Sequence, residues 1–62
     1  MSDIREATDN SGYPVFYRWN GAVEWTWDPD LPLSWWPVDT SIPELFSPDE
    51  LDVIAALLRE HQ

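Results

Sequence analysis

The tetrapeptide Ser47-Pro48-Asp49-Glu50 constrains this chain more than any other stretch. Ser followed three residues later by Glu forms a capping box, in which each side chain satisfies a backbone N–H at the start of a helix. Pro48 suits the first helical position, where the N–H it lacks would have no partner anyway. Phe46 and Leu51 have the spacing of a hydrophobic staple around that start. Further on, Leu51, Ile54, Ala55 and Leu58 fall on one apolar stripe with Leu57 beside it, while Val53 and Ala56 lie off it. The pattern predicts a helix over 48–61, about 21 Å long at the usual rise per residue.

Everything before that helix is too rich in proline and aromatic residues to extend it. Tyr13-Pro-Val-Phe-Tyr-Arg-Trp19 and Ala22-Val-Glu-Trp-Thr-Trp27 are strand-like runs separated by Asn20-Gly21. Asn-Gly favours a two-residue type I′ hairpin turn. Such a loop sets Trp19 opposite Ala22 and Phe16 opposite Trp25. Alternation then puts Pro14, Phe16, Arg18, Val23, Trp25 and Trp27 on one face. The other face carries Tyr13, Val15, Tyr17, Trp19, Ala22, Glu24 and Thr26. The first is the more apolar and is the expected core face, to be covered by the helix stripe. Asp28-Pro-Asp-Leu-Pro32 reads as a turn. Residues 33–36 read as a possible third edge strand between Pro32 and Pro37, with Trp35 and Trp36 pointing opposite ways. Residues 1–12 are polar and aperiodic and read as a loose N-terminal arm. The expected fold is α+β: a small antiparallel hairpin or three-stranded sheet over 13–62, packed on one C-terminal helix.

At 62 residues there is room for one domain. A chain this short buries only about 60% of its unfolded surface. With no cysteine there is no disulfide or thiolate metal site to help it. Some of the five tryptophans must therefore build the core, since each large ring hides roughly 150–250 Å². Trp25 and Trp27 are the expected core indoles. Trp19, with Tyr13 and Tyr17, is the expected outward face, unless a wider core closed by the N-terminal arm or by residues 31–38 wraps both faces.

The formal charge is −9, from twelve acids against Arg5, Arg18 and Arg59, with no lysine. From Glu24 to Asp52 the chain carries carboxylates and no base. Such a surface repels nucleic acid and anionic lipid and attracts basic surfaces. Direct nucleic-acid binding would require Lys or Arg to neutralise phosphates. Met1-Ser-Asp-Ile-Arg-Glu6 has no apolar run of the signal-peptide kind, and no segment approaches the roughly 18 apolar residues of a membrane span. A cytoplasmic protein with no membrane contact is expected.

Nothing in the chain suggests catalysis. No Ser lies in a nucleophile motif, and His61 at the end of the helix is accounted for as a cation favoured by the helix dipole. Asp28 and Asp30 lack the remaining ligands of a calcium loop. Asp49, Glu50 and Asp52 are explained by the helix start. No metal, cofactor or enzymatic activity is expected. The residues left over suggest binding: Tyr13, Tyr17, Trp19 and one of Trp35 and Trp36, here taken as Trp36, as aromatic anchors of the kind enriched at interface hot spots, with Glu24, Asp28, Asp30 and Asp39 as a charged rim. The expected partner is a protein with a basic surface, and the chain itself a monomer or weak homo-oligomer. Two other classes fit the composition: an aromatic module for a peptide or sugar, and a structural subunit of a larger assembly.

Phe16-Tyr17 followed by Trp27-Asp-Pro29 is similar to the second half of a WW domain, a family that binds proline-rich peptides. The first Trp of that family, due near Arg5, is absent; Pro29 is one residue early, and a capped helix follows. The likeness is one of aromatic hairpin chemistry, not of membership. In size and charge alone, the chain resembles phage- or mobile-element-encoded inhibitors of host nucleic-acid machinery.

Overall fold

The computed structural model describes residues 4–31 and 34–61. Four strands form one antiparallel meander in the order β1-β2-β3-β4: β1 (Arg5–Thr8), β2 (Pro14–Trp19), β3 (Val23–Thr26) and the two-residue β4 (Trp36–Pro37). A single α-helix, α1 (Pro48–Glu60), packs on one face. The α+β architecture is the one the sequence predicts, with one more strand.

That extra strand comes from the segment expected to be a loose arm, of which residues 1–3 lie outside the described residues. Arg5–Thr8 pairs with β2 from Arg5↔Tyr17 to Thr8↔Pro14. Its turn is local chemistry: the Asp9 carboxylate accepts from the backbone N–H groups of Ser11 and Tyr13, both at 2.9 Å, and Gly12 takes the positive φ of +88°. Asp, Ser and Gly in Asp9-Asn-Ser-Gly12 were the available signals.

The hairpin is present, but its register differs by one residue from the expected one. Trp19 pairs with Val23, Tyr17 with Trp25 and Phe16 with Thr26, so the connection is three residues, Asn20–Ala22. Of these only Gly21 has positive φ (+76°); Asn20 does not, which excludes the type I′ turn. A one-residue slip turns every side chain of β3 to the opposite face relative to β2. The slip puts Val15, Tyr17, Trp19, Val23 and Trp25 on a single face, and that is the one α1 covers. Ala7, Val15, Tyr17, Val23, Ile54 and Leu57 form the buried core, with Trp19, Trp25, Val38, Phe46 and Val53 packed around it. The face predicted to be buried, through Phe16 and Arg18, is the outer one.

Helix α1 begins as its sequence dictates. Ser47 accepts from the Glu50 N–H at 3.1 Å, and Glu50 accepts from the Ser47 N–H at 3.1 Å. The buried face is Glu50, Ile54 and Leu57, with Val53 beside it, not the stripe through Leu51, Ala55 and Leu58. Leu57 is 1% exposed and Leu58 38%. One residue is about 100° on a helix of 3.6 residues per turn, so the true stripe is rotated by one position. Polar anchors fix that rotation. Asp49 accepts from the Thr8 N–H at 2.7 Å, Ser47 donates its hydroxyl to the Thr8 carbonyl, and Tyr17 donates its hydroxyl to Glu50. At the far end Arg5 pairs with Glu60 at 2.6 Å, so α1 runs antiparallel to β1.

The outer face is covered in part by the loop after β3. Thr26, fully buried, shares a hydrogen bond of 2.7 Å with the Ser34 hydroxyl, and its own hydroxyl accepts from the Asp28 N–H. Arg18 lies between Glu24, at 2.8 Å, and the ring of Trp35, 4.3 Å from its centroid. Trp35 and Trp36 thus take opposite faces. The edge strand is Trp36–Pro37; of the range predicted for it, Leu33 lies outside the described residues. No helix among the described residues is long and apolar enough to cross a membrane.

Candidate functional site

The antiparallel register lays a row of side chains across all four strands on the helix side of the sheet: Arg5, Tyr17, Trp25, Trp36. Helix α1 covers the β1–β2 end of this row and touches β3 only at its margin. Beyond its edge the indoles stand clear. Trp25 is flanked by Trp36, ring centroids 5.1 Å apart, and by Trp27, edge-on at 5.5 Å. Trp27 is 53% exposed and Trp36 47%. Their clustering follows from the three-residue turn, because the register that pairs Tyr17 with Trp25 also brings Trp25 and Trp27 to the helix side.

Between these indoles and the start of α1 lies a cleft of about 440 Å³. Its floor is Tyr17 and Trp25, and Trp27 forms one wall. The connector leading into α1 supplies another through Leu45 and Phe46. The charged residues lining it are Asp9, Asp39 and Glu50, all acidic. Burial, the hydrogen bond to Glu50, and the negative charges of Glu50 and Asp9 together push the Tyr17 phenol far above its ordinary pKa. Tyr17 therefore stays neutral and is a structural donor, sealing the cleft floor to the helix cap. Asp39 is an exposed carboxylate whose pKa is held below the usual value by hydrogen bonds from the Ser41 hydroxyl (2.6 Å) and backbone N–H (2.9 Å).

The expected contact residues separate in this structure. Tyr17, expected as an outward anchor, is 1% exposed and belongs to the core. Trp19, also expected outward, lies on the helix side and stacks on His61, centroids 4.6 Å apart and planes 2° from parallel. Both corrections follow from the register, since the face carrying Val15, Tyr17 and Trp19 is the buried one. Trp27, expected in the core, is exposed. Glu24 is half-buried and committed to Arg18. Tyr13, Asp28, Asp30, Trp36 and Asp39 are exposed. Of these, Asp39 lines the cleft and Trp36 stands against its Trp25 floor. Asp28 accepts from the Asp30 N–H at 3.0 Å within its own turn.

Sequence reasoning missed Trp27 and Asp9 as surface features of the site. A three-residue reading of Asn20-Gly21-Ala22 was the only signal that could have found Trp27. Among the described residues no group of three or more His, Cys, Asp or Glu side chains converges as metal ligands would. A scan against protein-family models and searches of curated proteins and of solved structures find no match to this chain.

Proposed function

We propose that this is a small, acidic, non-catalytic protein that binds another protein, seated on a basic surface where the partner handles nucleic acid. The observation that carries this reading is the exposed pair Trp27 and Trp36 around Trp25, beside a cleft whose charged lining is wholly acidic. Aromatic side chains in a partly desolvated patch are what interface hot spots are made of. Carboxylates at the rim, with a net charge of −9, steer such a patch toward basic partners. The anchors are Trp27 and Trp36; Tyr13 is also exposed, and its N–H donates to the Asp9 carboxylate. The acidic surface is Asp9, Asp28, Asp30 and Asp39.

An affinity pull-down with the full chain at low and high salt tests this. Recovery of a basic nucleic-acid-handling protein at low salt is expected, with loss at high salt and after Trp27→Ala. Nucleic acid should compete with the captured partner. Recovery insensitive to salt would favour an aromatic peptide or sugar module instead. Recovery of the chain's own copies alone would overturn the reading in favour of self-assembly.

A further inference from the structure

The outer face of the sheet shows how this protein holds a cation. Arg18 has its guanidinium over the ring of Trp35 (4.3 Å) and a carboxylate, Glu24, at 2.8 Å. The helix-side cleft contains the same two components without the third. Indoles 25 and 27 line it, the carboxylates of Asp9 and Asp39 border it, and none of the three arginines reaches it. Both carboxylates are pre-set. Asp9 is pinned through Oδ1 to Ser11 and Tyr13, and Asp39 through Oδ1 to Ser41. Among the described residues these bonds all fall on Oδ1, which leaves the second oxygen of each to an outside donor. Aromatic faces attract cations through their quadrupole, and Arg does so more often than Lys because its planar group stacks. A volume of about 440 Å³ is near the lower end of small-ligand sites and suits a side chain rather than a large cofactor.

We propose that the cleft receives an arginine side chain of the partner protein, its guanidinium against the Trp25–Trp27 indoles and its charge met by Asp9 and Asp39. This rests on the protein-binding reading above and names what that surface recognises. The negative field already felt by Tyr17 from Asp9 and Glu50 is consistent with a cation-seeking cavity. A lysine, a neutral planar group and an apolar side chain are the competing occupants.

The test is titration of the full chain with a blocked Gly-Arg-Gly peptide, read from the indole N–H resonances in a nitrogen-correlated NMR spectrum. Parallel titrations use the same peptide with citrulline, lysine or norleucine in place of arginine. Saturable shifts at Trp25 and Trp27 are expected with arginine, with Kd on the order of millimolar for so small a probe. Lysine should bind roughly threefold more weakly and citrulline at least about tenfold more weakly, since cation–π attraction and charge pairing are both lost. Asp39→Asn and Asp9→Asn should each weaken the arginine probe about threefold, and Asp9→Asn keeps the oxygen that closes its turn. Equal binding of citrulline or norleucine would overturn the proposal, as would shifts confined to Trp35 or Trp19, or no shift at all. If the probe fails while a basic partner is still captured in a salt-sensitive way, the arginine cleft is wrong and the protein-binding reading stands. If the probe binds as described and no partner is captured, the cleft selects arginine but the protein-binding reading, and with it a partner's arginine as the occupant, is overturned.

Discussion

The two halves of the helix-side sheet face are built from the same kinds of residue and are treated in opposite ways. Under α1, the β1–β2 half is sealed: Ala7, Val15 and Tyr17 are buried, and the Tyr17 hydroxyl and the Thr8 backbone are both bonded to the helix start. Over β3–β4 the described residues place no second helix, and the indole row runs out from half-buried Trp25 to exposed Trp36. A chain with one helix leaves part of its sheet uncovered. A single helix has width enough for two strands, and a four-stranded sheet leaves the remaining strands to be covered by large side chains or by a partner. Three clustered indoles shield one another partly, and the surface they leave is an apolar-lined concavity with carboxylates at its border.

The sealed half under α1 is the more sensitive to truncation. Leu57→Ala should destabilise the fold by about 3 kcal/mol, through lost transfer energy and the cavity left behind. Leu58→Ala should cost less, about 1 kcal/mol, because Leu58 is 38% exposed where Leu57 is sealed. Urea unfolding followed by far-UV circular dichroism measures both. Equal losses at the two positions would mean that the helix is not rotated as described.

A smaller effect probes the seam between the halves. Tyr17→Phe leaves one Glu50 oxygen without its buried donor and should cost about 1–2 kcal/mol at neutral pH. It should also change the alkaline limb. The Tyr17 pKa is raised in the folded state above its ordinary value of 10.0, so the folded protein holds a proton that the unfolded chain releases. The stabilisation is fully present below pH 10.0 and is lost as pH rises beyond it, with a slope approaching about 1.4 kcal/mol per pH unit. Chemical denaturation between neutral pH and pH 11 should show this decline in the wild type and a shallower one in the Phe variant. Parallel pH profiles would remove Tyr17 from the sealed half.

The smallest expected effect on stability lies in the uncovered half. Trp36→Ala forfeits one tilted ring contact with Trp25 and the buried part of a ring that is 47% exposed, and should cost about 1 kcal/mol. Thermal melts measure it, and a loss comparable with that of Leu57→Ala would show that Trp36 is structural, leaving Trp27 alone as an exposed anchor.

What was legible in the sequence is what the backbone decides locally. Ser47, Pro48 and Glu50 fix a helix start within a single turn, because capping is a contest between neighbouring N–H groups and nearby side chains. Asn20-Gly21 marks a hairpin for the same reason, and the α+β class follows from those two signals. Two slips of a single residue are set instead by packing between distant segments. One is the hairpin register, which moves Trp25 and Trp27 to the helix side and turns Trp19 inward. The other is the helix rotation, which buries Leu57 and exposes Leu58. In both places two adjacent faces are nearly equally apolar, so periodicity cannot choose between them. The choice is made by groups far apart in the chain: Tyr17 finding Glu50, Thr8 finding Ser47 and Asp49, and Trp19 finding His61. Burial is a property of what lies opposite, and what lies opposite each strand and helix here comes from the other end of the sequence.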